Sequence, residues 1–409
     1  MLSDVSTPWH KASYDVFLNE QLPALLAERL PLAGYRVTPV DTYTCRLEIT
    51  LTTKAGDVAV AIEDLPQPDE DGVFKVGGAY HVVMPVATDE DLSQADILCV
   101  GEQIYAYIEA RLGQAPPDLP WDAALAEAWL PLGTWVAAFM AGDNVPARFG
   151  STRLEQAKWV ASDNVRARLV PTEPEQTNWL ARHTQLRRLI VPDREERFHA
   201  GELGLVCPFE TPEGPNLGHV LTIARGAQIR EGKLTIVDDR PEATLGLSAS
   251  MIPFLEHDDP NRILMGANML RQWIPQTRTE PALVQTGNEP DVDNFWCGRN
   301  LVTAFVCWGP ETFADGIIVS ESCAQRFDTP YPLQVGDKMS NRHGTKGVVS
   351  RILPDAEMPH LPDGTAVDLA FHFTNLHRRM NFGKIREAVM GRIAHQIGRP
   401  AIVPPFEAP

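Results

Sequence analysis

The sequence predicts an α+β protein, and three observations indicate this class. In the first 150 residues, apolar residues recur at helical spacing in several segments, with paired alternating runs between them. From about residue 199, short apolar runs are separated by glycine and proline turns, a pattern typical of a compact barrel or sandwich rather than a βαβ repeat. A chain of 409 residues is also long for one hydrophobic core, which predicts two domains with a small third element.

The predicted elements follow one another along the chain. In the first part we expect a helix over 13–30, a hairpin closed by residues 54–57, a hairpin over 69–86 that turns at Gly77-Gly78, and helices over 101–113 and about 121–141. Later helices are predicted over 261–273 and 384–398, the first with Asp259 as its N-cap. The last helix carries one apolar stripe, formed by Ile385, Val389, Ile393 and Ile397.

Composition excludes several classes of protein. The best apolar run, residues 130–140, is about half as long as a membrane-spanning helix, so no membrane association is expected. The first 15 residues lack the basic and then apolar pattern of a signal peptide. The six cysteines include no Cys-x-x-Cys pair, which predicts buried free thiols in a reducing compartment. We therefore expect a cytoplasmic protein.

Charge is distributed unevenly along the chain. The formal net charge is −18. Residues 1–150 hold 22 acidic and 8 basic residues, whereas residues 336–400 hold 6 acidic and 10 basic residues. An acidic protein is a poor candidate for salt-driven binding of nucleic acid, although the basic C-terminal part suits a local anion site.

The stretch "GDKMSNRHGTKG", residues 336–347, is the first candidate site. Lys338, Arg342 and Lys346 are spaced by four, as on one face of a helix, but three glycines disfavour a helix. Glycines beside Lys, Arg and His suit a loop in which backbone amides and cations converge on an anion. Phosphate binding and a solvated turn both remain open on these residue types.

Three further stretches combine charged residues. In "CPFETPEGPNLG" (207–218), Glu210 and Glu213 form either an acid pair or part of a rigid turn, and the spacing favours the turn. The run Glu256 to Asp259 offers metal-ligand types, but consecutive side chains rarely share a centre, which favours a cap and turn. "HRRMNFGKIREA" (377–388) is either a second phosphate-binding segment or a charged face that leads into the last helix.

Taken together, these stretches resemble the β subunit of bacterial multi-subunit RNA polymerase. The resemblance rests on long motifs in the same order, namely residues 207–218, 251–272, 298–308, 313–321, 335–350, 358–369 and 378–387. Residues 175–189 and 64–85 are similar to the segment before the fork loop and to the protrusion. The resemblance implies a protrusion-like α+β domain over 1–150, a linker or fork-like segment over 151–200, and a double-psi β-barrel with a C-terminal helix over 201–409.

The resemblance implies roles for particular residues. Lys338 and Lys346 match two barrel lysines that reach the phosphates of transcript and nucleotide. Arg262 and Arg379 match arginines that approach the incoming triphosphate. These four are the predicted catalytic residues, and all four are predicted to bind phosphate.

Other predicted site residues complete the set. The loop adds Arg342 and His343 as phosphate-binding residues, and Glu213 and Asn268 are expected to be structural and fork-like. Asp315 matches the second acid of a Glu-Asp pair near a magnesium ion, but the first position is Ala314.

The sequence also departs from the family pattern. Family β subunits are several-fold longer, and we expect the flap, the lobe insertions and the C-terminal clamp region to be absent. Arg378 stands where the family has a serine after Gly-Val-Pro, so that loop is remodelled. In the family, Mg²⁺ is bound by aspartates of the β′ subunit in an "Asn-Ala-Asp-Phe-Asp-Gly-Asp" loop, and this chain has no such run.

Three functions are compatible with these observations. The first is a reduced β-like subunit that supplies the cationic half of a DNA-directed nucleotidyl-transfer site, with Mg²⁺ and a β′-like partner. The second is a non-catalytic β mimic that binds polymerase subunits, nucleoside triphosphate or nucleic acid as a regulator. The third is a nucleotide-dependent small-molecule enzyme on the same barrel, since fold alone does not set function.

Overall fold

The computed structural model describes residues 6–53, 56–113, 128, 130–142, 171–191, 198–214, 216–293 and 295–407. Its α-helices are α1 (Pro8–Val16), α2 (Leu22–Arg29), α3 (Val100–Leu112), α4 (Leu132–Met140), α5 (Trp179–Leu186), α6 (Pro260–Leu270), α7 (Glu321–Arg326), α8 (Thr374–Arg379) and α9 (Gly383–Ile397). Among these residues, no helix is long and apolar enough to cross a bilayer.

The strands are short and numerous. The N-terminal half contains β1 (Leu32–Pro39), β2 (Thr44–Thr53), β3 (Gly56–Pro66), β4 (Val73–Val76), β5 (Ala79–Val82), β6 (Val86–Ala87), β7 (Ile97–Leu98) and β8 (Arg188–Ile190). Later strands are β9 (Val220–Thr222), β10 (Ala227–Arg230), β11 (Lys233–Ile236), β12 (Val284–Gln285), β13 (Thr303–Phe305), β14 (Gly316–Ser320), β15 (Lys338–Ser340), β16 (Lys346–Leu353), β17 (Leu369–Phe371) and β18 (Ala401–Ile402). The mixed α and β architecture is confirmed, while a double-psi barrel stays a prediction.

Most predicted N-terminal elements are present. The first helix begins earlier than predicted, at Pro8, and continues through a π-helical turn, Phe17–Gln21, into α2. The π turn immediately precedes the segment containing Pro23, which has no amide hydrogen to donate. Both predicted hairpins form, and Gly77 and Gly78 have positive φ angles in the second turn. Of the helix predicted over 121–141, the structure shows α4, while residues 121–127 lie outside the described part.

Two hydrophobic cores organise the N-terminal half. In the first, α1 to α4 pack on the sheet β1-β2-β3, and its largest fully buried side chains include Tyr14, Phe17 and Phe74. The second core surrounds the sheet β7-β6-β8-β9 and draws on residues 87–99 and 189–234. The strands of this sheet come from both sides of the domain boundary predicted at residue 200: β6, β7 and β8 precede it, and β9 follows it.

The C-terminal half contains a five-stranded sheet in the order β13-β17-β14-β16-β15. Parallel pairs, β13 with β17 and β14 with β16, alternate with antiparallel pairs, β14 with β17 and β15 with β16. Ile317, Val319 and Phe371 are buried in its core. The sheet carries the loop 336–347 at one edge, and α6 and α9 contact that loop.

Two surface features differ from simple expectations. The stripe predicted on α9 forms, but Val389, Ile393 and Ile397 are 58%, 42% and 61% exposed, so the described residues do not cover it. All six cysteines are free, as predicted, and four are buried, whereas Cys297 is half-buried and Cys307 is exposed.

Candidate functional site

The two predicted barrel lysines lie on one hairpin. β15 and β16 are antiparallel, with Lys338 opposite Val348 and Ser340 opposite Lys346. Because side chains alternate along a strand, Lys338, Lys346 and Val348 share one face, and the two lysines are diagonal neighbours. Lys338 is exposed and Lys346 is half-buried. The hairpin therefore presents two ammonium groups side by side.

These lysines line a cleft of about 390 Å³ together with Glu213 and Asn268. Helix α6 provides Asn268, and the turn after the buried Glu210 provides Glu213. Four residues predicted from distant motifs therefore meet in one place. In the described part of the chain, no carboxylate oxygen lies within 4.0 Å of either lysine ammonium.

The glycines of the loop explain how its neighbours come so close. Gly344 has φ +69°, and a Cβ there would lie 2.5 Å from the carbonyl oxygen of Arg262. A Cβ at Gly347 would collide with the carbonyl oxygen of Asp315, and one at Gly266 of α6 with the carbonyl oxygen of Arg342. Only glycine permits these backbone contacts, which bring three motifs together.

Arg342 and His343 are not placed with the lysines. His343 is fully buried, with Nδ1 2.5 Å from the Asp258 carboxylate and Nε2 2.6 Å from Glu387. Arg342 pairs with Glu387 and also donates to the carbonyl oxygens of Met251 and Val284 at 3.2 and 2.9 Å. Both side chains are occupied by protein groups, so we reassign them from phosphate binding to the interior.

We call Asp258, Arg342, His343 and Glu387 the buried hub. Burial opposes the charge of His343, but its hydrogen bonds to Asp258 and Glu387 raise its pKa. Burial also opposes the charge of Glu387, yet Arg342 and His343 lower the pKa of that carboxyl to about 2. The hub joins the loop before α6, the loop 336–347 and α9.

Arg379 and Asp315 form an ion pair in a second cleft. Arg379 Nη2 donates to both Asp315 carboxylate oxygens, at 2.6 and 2.5 Å. The cleft, about 510 Å³, is also lined by Ala314 and Arg378. Ala314 and Asp315 both have positive φ, 49° and 67°, which is rare for residues with a Cβ. This turn directs Asp315 towards Arg379.

Arg262 is electrostatically coupled to this second cleft. It is half-buried at the first turn of α6, behind the N-cap Asp259, whose carboxylate accepts the Asn261 amide as predicted. Burial and the nearby charge of Arg379 lower the pKa of Arg262. An arginine whose charged form is disfavoured by burial and by a neighbouring cation suits an anionic ligand.

The described residues of the second cleft do not by themselves fit a Mg²⁺ site. Ala314 has no ligand atom, and the Asp315 carboxylate is engaged by Arg379. In the described residues, no three His, Cys, Asp or Glu side chains cluster as metal ligands. The run Glu256 to Asp259 accordingly forms a turn and a cap, with Asp258 in the hub.

Glu210 is structural rather than one of an acid pair. It is 1% exposed, accepts the Ala249 amide at 2.8 Å and forms an ion pair with Arg271 at 3.0 Å. Glu213, by contrast, is exposed at the cleft. Protein groups therefore hold Glu210, while a rigid turn over this stretch stays a prediction.

Sequence reasoning missed two buried residues beside the site. Asn381 is fully buried and donates to the His343 carbonyl at 2.7 Å and to Thr345 Oγ1 at 2.8 Å. Lys384 is 3% exposed and donates to Thr345 Oγ1 at 3.2 Å. In the sequence, Lys384 is one of several basic residues in 377–388. No local pattern indicates that the side chain of Asn381 or of Lys384 points inwards.

Comparison with known proteins finds similarity to the same family. The family RNA polymerase Rpb2, domain 6, matches residues 327–409, and RNA polymerase Rpb2, domain 3, matches residues 174–229. Over 75 residues the chain is 51% identical to the DNA-directed RNA polymerase subunit beta of Thermus aquaticus and 48% identical to that of Cyanidioschyzon merolae. It is 49% identical over 75 residues to the subunit beta C-terminal section of Chlamydomonas reinhardtii.

These similarities cover a limited part of each protein. The matched stretch is 18% of this chain, and it is 7% of the Thermus and Cyanidioschyzon proteins and 12% of the Chlamydomonas protein. Two Rpb2 domain matches nevertheless lie in the order that the motifs predicted. The chain is an RNA polymerase β-subunit-like protein.

Proposed function

We propose that this chain supplies the phosphate-binding half of a nucleotidyl-transfer site. Lys338, Lys346, Arg262 and Arg379 are the residues that would hold a nucleoside triphosphate. The observation that carries the proposal is the cleft in which Lys338 and Lys346 meet Glu213 and Asn268, where no carboxylate oxygen of the described residues lies within 4.0 Å of either ammonium. Neighbouring ammonium groups without an ion pair favour a polyanion.

Catalysis in this proposal needs a partner. Phosphoryl transfer requires metal ions to neutralise charge that develops on the phosphate oxygens. Because Asp315 is paired with Arg379, the metal ligands would come from a β′-like subunit. The chain's own residues would position the triphosphate and stabilise its charge.

The proposal is tested by calorimetric titration of a nucleoside triphosphate into the full chain and into the double variant Lys338→Ala with Lys346→Ala. We expect affinity to fall at least tenfold, because charge-assisted hydrogen bonds contribute roughly 1.5–3 kcal/mol each. The matched control, Lys75→Ala with Lys233→Ala, removes the same charge outside both clefts and should leave affinity unchanged. Equal affinity of the wild-type chain and the cleft variant would refute the phosphate site.

A non-catalytic regulator is the second candidate. It is favoured by the Asp315–Arg379 ion pair beside Ala314, which occupies a carboxylate and an arginine that a metal-dependent reaction would use. The net charge of −18 also suits binding to a basic partner better than binding to nucleic acid. Recovery of intact polymerase subunits on the immobilised chain, without primer extension when a β′-like subunit and Mg²⁺ are added, would favour this function over the first.

A further inference from the structure

Lys384 is a buried cation whose contacts are with uncharged groups. Its ammonium donates to Thr345 Oγ1 and lies 5.6 and 5.8 Å from the ring centroids of Phe305 and Phe371. Among the described residues, no carboxylate oxygen lies within 4.0 Å of Nζ. Burying an ammonium without an ion pair destabilises a fold, so this position points to a role beyond packing.

The two carboxylates that act most on the charge of Lys384, those of Asp258 and Asp315, already bind other groups. Asp258 bonds His343 through one oxygen and accepts the Gly383 amide at 2.8 Å through the other. Asp315 is held by Arg379. Neither acid can therefore neutralise Lys384 without giving up another partner.

The same neighbourhood contains two more cations. Burial is the main cause that lowers the pKa of Lys384 to about 8, and the charges of Arg379 and Arg262 lower it further. The carboxylates of Asp258 and Asp315 act in the opposite direction. A bound anion would change this balance, because it would favour the charged form of all three cations.

We propose that Lys384 is a proton-coupled positioning residue of the anion site, which becomes fully protonated when a phosphate group binds at Arg262 and Arg379. Lys384 acts through its electric field and through Thr345, since its side chain is too buried to touch a ligand in solution. This inference rests on the proposed function and adds to it a dependence of phosphate binding on pH.

The sign of the effect follows from the direction of the shift. A lysine that is partly neutral near pH 8 takes up a proton when an anion stabilises its charge. Phosphate affinity should therefore fall as the pH rises from about 7 to about 9.5. The terminal phosphate group, with a pKa near 6, is already ionised in this range and contributes little.

The test is calorimetric titration of a nucleoside triphosphate near pH 8, in two buffers with different ionisation enthalpies. For the wild-type chain we expect uptake of about half a proton per bound ligand, since a group titrating near 8 is about half neutral there. The variant Lys384→Met, which preserves length and suits the two phenylalanines, should bind roughly tenfold more weakly at neutral pH, with no proton uptake.

Controls separate this inference from the proposed function. Arg392→Gln removes a charge from the same helix, where Arg392 is 55% exposed and 3.9 Å from Asp363, and should keep both affinity and proton uptake. Binding with equal proton uptake in wild type and Lys384→Met overturns the role of Lys384 but leaves the proposed function intact. Absence of binding to the wild-type chain overturns both. Circular dichroism and thermal melting establish that Lys384→Met is folded.

Discussion

Residues 338–346 contain two pairs of basic side chains that the fold treats in opposite ways. Lys338 and Lys346 lie on the open face of a hairpin, where the described residues offer no carboxylate partner. Arg342 and His343, between them in sequence, are buried and paired with Glu387, and His343 is also paired with Asp258. Cations at the open face are available to a ligand, whereas those in the buried hub stabilise the loop that presents them.

This difference could not be read from residue types. Arg and His are as suitable for phosphate as Lys, so the sequence favoured all four as ligand contacts. The buried pair differs from the lysines because it contacts two carboxylates, Asp258 and Glu387. These lie 85 and 44 residues from His343 along the chain. Contacts between residues so far apart in sequence depend on the tertiary structure. Substitutions in each pair test whether the buried pair supports the fold and the open pair does not.

The largest effect is expected from removing the carboxylate shared by Arg342 and His343. Glu387→Ala leaves the buried Arg342 and His343 without that partner, and breaking a buried ion pair from one side costs about 3–5 kcal/mol in unfolding free energy. Glu387 is partly exposed, so the lower end of this range is expected. Urea denaturation followed by tryptophan fluorescence measures it.

An exposed ion pair provides the control for this experiment. Asp15→Ala removes the ion-pair partner of Lys11 on α1. The Lys11 Nζ to Asp15 Oδ1 distance is 2.6 Å, and the Asp15 side chain is 45% exposed. Such pairs contribute less than about 1 kcal/mol. If the two variants lost similar stability, the hub would not hold the loop in place.

The second prediction concerns the pH dependence of the hub. The raised pKa of His343 gives stability that is present below its unfolded value of 6.5 and is lost as the pH rises through the folded value. The lowered pKa of Glu387 gives stability that is present above 4.5 and is lost as the pH falls towards about 2. The hub therefore contributes most between pH 4.5 and 6.5.

This window is measured as the difference in unfolding free energy between the wild-type chain and His343→Gln across the pH range. The difference should be greatest near pH 5.5 and smaller near pH 9, because glutamine is uncharged at both. A difference that grows as the pH rises would mean that His343 is neutral in the folded protein, and one that does not change with pH would mean that folding leaves the pKa of His343 unaltered.

Sequence reasoning was most successful where signals are local. The helical spacing around residue 104, the Gly77-Gly78 turn and the Asp259 cap all gave elements close to those observed. The resemblance singled out Lys338, Lys346, Glu213 and Asn268 separately, and only the structure places them in one cleft. For the helix, the turn and the cap, the pattern along the chain contains the relevant information.

It was less successful where the decisive contact is distant. The glycines near 344 indicate either a phosphate-binding loop or a solvated turn, but Gly344 and Gly347 allow close packing against the backbones of Arg262 and Asp315. Lys384 is one of several basic residues in 377–388, a segment predicted to bind phosphate or to form a charged face, whereas the structure buries it against Thr345. Neither outcome follows from local spacing, because each depends on which other segment lies opposite.

The smallest effect on stability, and the clearest contrast with the hub, is expected for the open pair. Lys338→Ala with Lys346→Ala removes side chains that have no ion pair in the described part of the chain, so unfolding free energy should change by no more than about 0.5 kcal/mol. Removing two neighbouring like charges can even stabilise the hairpin, since like charges close together on one sheet face repel. The measurement is the same urea denaturation used for Glu387→Ala. A loss of several kcal/mol would show that the lysines support the fold, and the weaker triphosphate binding of this variant would then report unfolding rather than lost phosphate contacts.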